Sequence, residues 1–166
     1  EWIDTSKGEF QEKVRNLALG LYELGVRSGD TVSLHSENSA EWVICDQAIL
    51  SIGAVNVPIY TTQPAEQIKY ILENSETTVH IVSNDELFAE TKPIIKDIEN
   101  VKAIVSIFGS KQENLKEFDD ILEMGARKHD ENPDLFEELR SKVKPDDLAS
   151  LIYTSGTTGD PKGVML

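Results

Sequence analysis

Short apolar runs of strand type alternate along this chain with longer segments whose apolar residues recur at helical spacing. Residues 31–35 alternate apolar and polar side chains, whereas the segment before them repeats apolar residues from Phe10 to Leu24 at intervals of three and four. Alternating strands and helices are typical of parallel sheets, because parallel strands need crossover connections. The sequence therefore predicts an α/β fold with a mainly parallel sheet flanked by helices. The expected strands are residues 31–35, 54–59, 77–82, 103–108 and 148–153.

Single residues mark where several of the intervening helices begin or end. Ser39 can cap a second helix that Gly53 ends. Pro64 stands where a third helix can begin, because proline is favoured in the first turn. Pro93 is expected to break or restart the helical stretch over residues 85–99.

Residues 111–147 are much more charged than the rest, with 7 Lys or Arg and 12 Asp or Glu. Such density could indicate disorder, yet apolar residues still fall on one face at helical spacing. We therefore expect two solvated surface helices joined near residues 125–133. The carboxylate pairs at 119–120 and 146–147 are interpreted as solvated or capping groups.

The overall charge excludes several classes of partner. The 166 residues carry 16 Lys or Arg and 30 Asp or Glu, a formal net charge of −14. Duplex nucleic acid and anionic membranes reward clustered cations, so neither is expected as a main partner, whereas a small anionic ligand needs only a local site. Cys45 stands alone in an apolar run, which favours a buried, inert thiol in a reducing cytosol. His35, His80 and His129 show no metal-binding spacing and are given structural or surface roles.

One segment combines hydroxyl side chains, glycines and a lysine between a strand and a further short strand. Glycines let backbone N–H groups approach an anion closely, hydroxyl groups add donors, and a lysine adds a mobile positive charge. The chemistry is that of a polyphosphate clamp, although the pattern is neither the P-loop nor the dinucleotide motif. The alternative interpretation, without a ligand, is a surface turn whose lysine is only solvated. The residues concerned are Thr154, Ser155, Gly156, Thr157, Thr158, Gly159, Lys162 and Gly163.

Residues 151–166 resemble the phosphate-binding motif of the adenylate-forming enzymes, the superfamily of acyl-CoA synthetases, luciferase and peptide-synthetase adenylation domains. Upstream segments are similar in order and spacing, including residues 9–21, 24–32 and 38–42. Residues 53–62, together with segments 67–76 and 145–150, are most similar to the long-chain fatty acid–CoA ligase branch. The chain is thus identified as a member of this superfamily over nearly its whole length.

The resemblance implies a carboxylate-activating ligase that uses ATP, Mg²⁺ and coenzyme A. Such enzymes form an acyl-adenylate and pyrophosphate, and the thiol of coenzyme A then gives a thioester. By position, Thr154, Ser155, Gly156, Thr157, Thr158, Gly159 and Lys162 would hold the ATP phosphates. The alternatives are a luciferase-like or amino-acid-activating relative, or a non-catalytic nucleotide-binding module. The expected location is cytoplasmic, with peripheral attachment to the inner membrane as a second option.

The two ends of the sequence lead us to expect a fragment. The chain begins with Glu1 and ends on an apolar run that stops within a predicted strand. We expect residues 1–166 to be the N-terminal part of an AMP-binding domain, cut after the phosphate-binding motif, without catalytic residues and inactive alone. Met165 and Leu166 should be poorly ordered or paired with another molecule. The turn Tyr60-Thr61-Thr62 follows a strand end, where either a ligand contact or a simple turn is equally expected.

Overall fold

A five-stranded parallel sheet forms the centre of the structure, a computed structural model that describes residues 4–110, 112, 115–154 and 161–166. Each strand runs parallel to its hydrogen-bonded neighbours. Their spatial order is β2-β1-β3-β4-β5, so β2 and β5 form the edges. The predicted α/β fold is confirmed. The strands are β1 (Thr31–His35), β2 (Val55–Ile59), β3 (Val79–Val82), β4 (Ala103–Ser106) and β5 (Lys116–Glu117).

Six helices flank this sheet among the described residues. Two of the predicted boundaries are confirmed: the Ser39 hydroxyl accepts a hydrogen bond from the Trp42 N–H at 3.0 Å, and Gly53 follows the same helix with a φ of 71°. Such caps satisfy polar groups that a helix end leaves unpaired. The helices are α1 (Lys7–Glu23), α2 (Ala40–Ser51), α3 (Ala65–Asn74), α4 (Asp85–Ile95), α5 (Phe118–Glu131) and α6 (Leu135–Arg140).

Both faces of the sheet are buried, and the alternation of side chains along β1 separates them. Val32 and Leu34 belong to the larger apolar cluster, which contains buried residues of α1, α2 and α5. Ser33 and His35 lie on the opposite face, because their partners in the β2 register, Val57 and Ile59, pack with buried residues of α3. Helices on both faces explain why the strands are buried almost throughout.

Helices α1 and α5 approach each other through glycines, which corrects one prediction. The sequence places Gly125 in a connection between two surface helices, but it lies inside α5 and is buried. A Cβ atom at Gly125 would lie 1.7 Å from the Asn16 carbonyl oxygen, and one at Gly20 would lie 2.3 Å from the Ile121 carbonyl oxygen. The glycines therefore serve close backbone contact, and α5 is half buried rather than a solvated surface helix.

The strand predicted over residues 148–153 belongs mainly to a different, antiparallel sheet. Strand β6 (Leu151–Thr154) pairs antiparallel with β7 (Lys162–Met165), and touches the large sheet through a single parallel bridge between Ser150 and Asn56. The expectation for the last two residues is also wrong. Met165 pairs with Leu151 in this ladder, and the Leu166 N–H donates to the Ser150 carbonyl at 3.0 Å. The partner of the terminal strand is therefore the chain itself.

Smaller corrections concern helix α4 and the ends of several strands. Helix α4 runs through Pro93 and ends at Ile95, where the sequence predicts a break or an extension to residue 99. The proline removes only one hydrogen bond near the end of the helix. Strand β3 starts at Val79 and β4 ends at Ser106, both shorter than expected, and the short edge strand β5 was not predicted. Within the described ranges, no helix has the length and apolar character required to cross a membrane.

Candidate phosphate-binding site

The antiparallel hairpin brings the first and last predicted phosphate ligands together. Thr154 and Lys162 are direct partners in the β6–β7 ladder, and both are exposed. A hydroxyl group and an ammonium group eight positions apart in sequence therefore share one end of the hairpin. The other predicted ligands, Ser155, Gly156, Thr157, Thr158 and Gly159, lie outside the described residues.

Contacts at its base fix the direction in which the hairpin points. The Asn56 N–H donates to the Ala149 carbonyl at 3.0 Å, and the Ser150 hydroxyl donates to the Asn56 carbonyl at 3.0 Å. The bridge between Asn56 and Ser150 is parallel, so β6 runs in the same direction as β2. Thr154 and Lys162 thus lie toward the carboxyl ends of the parallel strands, which is the edge where open α/β sheets bind ligands.

Tyr153 locks the hairpin onto helix α3. Its side chain is buried, and its hydroxyl donates to the Asn74 Oδ1 at 2.7 Å. The ring meets Tyr70 edge to face, with 6.5 Å between the ring centres. A Cβ atom at Gly163, the ladder partner of Tyr153, would lie 3.2 Å from the tyrosine ring. Sequence reasoning did not find this role of Gly163, because the signal is cross-strand packing rather than a motif.

A cleft of about 530 Å³ opens at the same edge, beside β6. Its wall is largely apolar, with Trp42 and Ile59 on one part and Ile152 of β6 on another. Tyr60 and Thr61 also line it, so two residues of the turn that the sequence left open between ligand contact and simple turn face a cavity. The full lining is Ser36, Glu37, Asn38, Trp42, Pro58, Ile59, Tyr60, Thr61 and Ile152.

Glu37 supplies a fixed negative charge at this cleft. The Ser83 hydroxyl donates to its Oε2 at 2.6 Å, and this hydrogen bond lowers the pKa of the Glu37 carboxyl group. Ser83 directly follows β3, and its backbone N–H donates to the His35 carbonyl at 3.1 Å. The loop after β1 is thus tied to the end of β3, so the carboxylate has a defined position. No motif in the sequence points to Glu37.

Neither the three histidines nor the cysteine are among the residues that line the cleft. His35 and His80 are fully buried, and burial lowers the pKa of His35 to about 4 and that of His80 to about 3. His129 lies near the end of α5. Cys45 is buried, as predicted, and burial raises the pKa of its thiol. Within the described ranges, no group of three or more His, Cys, Asp or Glu side chains is arranged to hold a metal ion.

A parallel sheet covered by helices on both faces, with exposed polar groups beside its carboxyl edge, is typical of α/β proteins that bind a ligand at that edge. Comparison with known families makes the assignment specific. The family described as AMP-binding enzyme matches residues 1–166, and the chain belongs to this family.

Individual relatives point to one branch. The chain is 38% identical over 165 residues to the long-chain-fatty-acid–CoA ligase FadD15 of Mycobacterium bovis, covering 99% of this chain and 26% of that protein. It is 33% identical to the Xenopus laevis long-chain-fatty-acid–CoA ligase ACSBG2, covering 100% of this chain and 22% of that protein. The chain thus spans about a quarter of the length of these relatives.

Solved structures agree with the assignment to the AMP-binding family. The anthranilate CoA ligase AuaEII, in complex with anthranoyl-AMP, superimposes with a TM-score of 0.83 at 30% identity, over 95% of this chain and 29% of that one. The long-chain-fatty-acid-CoA ligase FadD1 of Archaeoglobus fulgidus gives a TM-score of 0.74 at 26% identity, over 100% of this chain and 32% of that one. The fold is therefore that of the N-terminal part of adenylate-forming ligases.

Proposed function

We propose that this chain forms the phosphate-binding part of a long-chain fatty acid–CoA ligase, which activates a fatty acid with ATP and then forms acyl-CoA. The pairing of Lys162 with Thr154 at the carboxyl edge of the sheet carries the proposal. An exposed ammonium group beside an exposed hydroxyl group suits phosphate oxygens, and the family matched over residues 1–166 is one of AMP-binding enzymes. The fatty acid substrate is proposed from the 33–38% identity to fatty acid–CoA ligases.

The proposed roles follow from the chemistry of adenylation. In-line attack of a carboxylate on the α-phosphate of ATP releases pyrophosphate, so negative charge grows on the leaving group. Lys162 would hold the β- and γ-phosphates, and its ammonium group would stabilise that developing charge. Thr154 would donate its hydroxyl to the same phosphates, together with Ser155, Gly156, Thr157, Thr158 and Gly159.

Magnesium and coenzyme A belong to the proposed reaction, but the described residues contribute differently to each. Mg²⁺ prefers oxygen ligands and usually binds through substrate phosphates with one or two carboxylates. The Thr154 hydroxyl offers a neutral oxygen ligand, and bound Mg²⁺ would neutralise the charge of the phosphates there. Coenzyme A would enter as the thiol that accepts the acyl group. The proposed location is cytosolic, because a buried, unpaired cysteine such as Cys45 is typical of a reducing compartment. Peripheral attachment to the inner membrane is the alternative.

A pyrophosphate-release assay tests the activity. The protein that contains this chain is incubated with ATP, Mg²⁺, coenzyme A and palmitate, and acyl-CoA is measured in parallel. We expect turnover that requires all four components. The 166-residue chain alone should release no pyrophosphate above background, because it spans only about a quarter of its relatives. Turnover by the isolated chain would contradict the proposal that it supplies only part of the site.

An aromatic carboxylate is a second candidate substrate, favoured by the likeness to the anthranilate CoA ligase at a TM-score of 0.83. The same assay with anthranilate in place of palmitate separates the two candidates. A panel of amino acids tests the amino-acid-activating alternative, and luciferin tests the luciferase-like one. ATP binding without pyrophosphate release for any carboxylate would instead indicate a non-catalytic nucleotide-binding module.

A further inference from the structure

The imidazole rings of one residue on β1 and one on β3 carry three nitrogen atoms that have no hydrogen-bond partner among the described protein atoms. They are Nδ1 and Nε2 of His35 and Nε2 of His80, on residues with no exposed surface. The remaining ring nitrogen, Nδ1 of His80, lies 2.7 Å from the Ser33 hydroxyl. Buried polar atoms in folded proteins almost always have a partner, so such a concentration of unpaired nitrogens requires an explanation.

The two rings cannot satisfy each other. Their centres are 6.1 Å apart, and each ring nitrogen lies less than one ring-bond length from its centre. Even the closest pair of nitrogens is therefore beyond the roughly 3.2 Å limit of a good hydrogen bond. Two nitrogens too far apart for a direct hydrogen bond can each make an ordinary one to a single oxygen atom that bridges them.

Apolar residues of α3 are buried on the same face of the sheet as the two rings. Both rings lie on the face of the sheet that α3 and α4 cover, where Ile68 and Leu72 are fully buried. Glu37 is the carboxylate whose field acts on His35, and His35 is the titratable group that acts on His80. The rings are neutral at neutral pH, so each has one N–H donor and one acceptor nitrogen.

We propose that His35 and His80 form a binding site for one buried water molecule that bridges their rings. When the Ser33 hydroxyl donates to Nδ1 of His80, Nε2 of His80 carries the proton and donates to the water oxygen. The water can then donate to the acceptor nitrogen of His35, so the bridge pairs two of the three nitrogens. A water molecule suits this site better than a metal ion, because two imidazoles leave a zinc-type site two protein ligands short of a closed tetrahedral set.

The bridge would stabilise the edge of the sheet that holds the cleft. His35 is the last residue of β1, and its carbonyl accepts the Ser83 N–H that follows β3. Ser83 in turn fixes Glu37 on the cleft lining. A water between His35 and His80 therefore joins the two strands just beneath the loop that positions Glu37.

A high-resolution crystal structure of the protein that contains this chain tests the site directly. We expect one ordered water within hydrogen-bond distance of both rings, without anomalous signal from a transition metal. A metal ion in that position, rings in direct contact, or no density between them would each overturn the proposal.

Solution measurements provide a matched test. Magnetic relaxation dispersion of water counts long-lived internal waters, and we expect His35→Leu to lose one relative to the parent protein. Arg127→Leu, which removes an exposed side chain from α5, should leave the count unchanged. An equal count in the parent and the folded His35→Leu protein would refute the site, and if that variant does not fold, the crystal structure of the parent decides.

Discussion

Replacing Gly125 with alanine should separate helices α1 and α5. The new Cβ atom would lie 1.7 Å from the Asn16 carbonyl oxygen and 2.7 Å from the Gly20 nitrogen, both backbone atoms that cannot rotate away. Real Cβ contacts are not closer than 3.0 Å, so the helices must move apart by about 1.3 Å at this point. The interface that opens contains buried residues of both helices, including Leu17, Leu21 and Ile121.

The expected loss of stability combines two opposing contributions. Overpacking typically costs about 1–3 kcal/mol, and a clash with rigid backbone belongs at the upper end of that range. Alanine also favours the helix over glycine by about 1 kcal/mol, which offsets part of the cost. We therefore expect Gly125→Ala to lower the free energy of unfolding by about 2 kcal/mol. For a chain of this length, that corresponds to a fall in Tm of roughly 4–8 °C.

Gly8→Ala is the matched control, because Gly8 lies in the first turn of α1 and a methyl group added there would meet nothing within 4 Å. Helix propensity alone acts there, so stability should stay equal or rise slightly. Urea and thermal unfolding followed by circular dichroism measure both variants. Equal stability of Gly125→Ala and the parent chain, or equal loss in both variants, would refute the backbone-contact argument.

Three further predictions concern the hairpin and the buried histidines. Lys162→Ala in the protein that contains this chain should slow adenylation about a hundredfold with little effect on acyl binding, measured by steady-state pyrophosphate release, because the ammonium acts on developing charge. Tyr153→Phe should lower the free energy of unfolding by about 1 kcal/mol in urea unfolding, since it removes the 2.7 Å hydrogen bond to exposed Asn74, which water can replace. The folded pKa values of His35 and His80 lie below the ordinary 6.5, so the unfolded state binds more protons and stability should fall as pH drops from about 6.5 toward 4 and 3.

Each of these predictions has its own control. Lys162→Arg keeps the charge and should retain more activity than Lys162→Ala, whereas unchanged turnover of Lys162→Ala would remove the lysine from the clamp. Tyr153→Leu should lose more stability than Tyr153→Phe, because it also loses the aromatic ring. For each buried neutral histidine, the free energy of unfolding should change with pH by up to about 1.4 kcal/mol per pH unit. The double variant His35→Asn, His80→Asn should make the free energy of unfolding less dependent on pH in the acid range. An equally steep dependence in that variant would assign the acid sensitivity to carboxylates instead.

The alternation of strands and helices could be predicted because its sequence signals are local. Strand β1 has the bounds that the sequence predicts, since alternation and a flanking turn both act within a few residues. The Ser39 cap is predictable for the same reason. Gly125 could not be assigned correctly, because a glycine in a charged segment looks the same whether it makes a turn or admits another helix. Only the position of α1, which is distant in sequence, distinguishes the two.

The pairing of β6 could have been predicted, although it was not. A parallel connection needs about a dozen residues or more, whereas only residues 155–161 separate β6 from β7. Length alone therefore requires an antiparallel hairpin. The alternation of the preceding elements favoured a parallel continuation, and that general pattern outweighed a stricter local constraint. The cleft residue Glu37 had no comparable signal, because its position depends on Ser83 in another strand connection.

The antiparallel pairing also changes how the phosphate-binding motif should be understood. A motif read only as a loop leaves the distance between its first hydroxyl group and its lysine undefined. Here Thr154 and Lys162 face each other across a ladder that the Tyr153 hydrogen bond to Asn74 anchors to α3. The strands thus set the backbone positions of the hydroxyl and the cation. In the proposed reaction, Lys162 therefore needs only its side chain to be ordered when phosphate binds, which lowers the entropic cost of placing its charge on the departing leaving group.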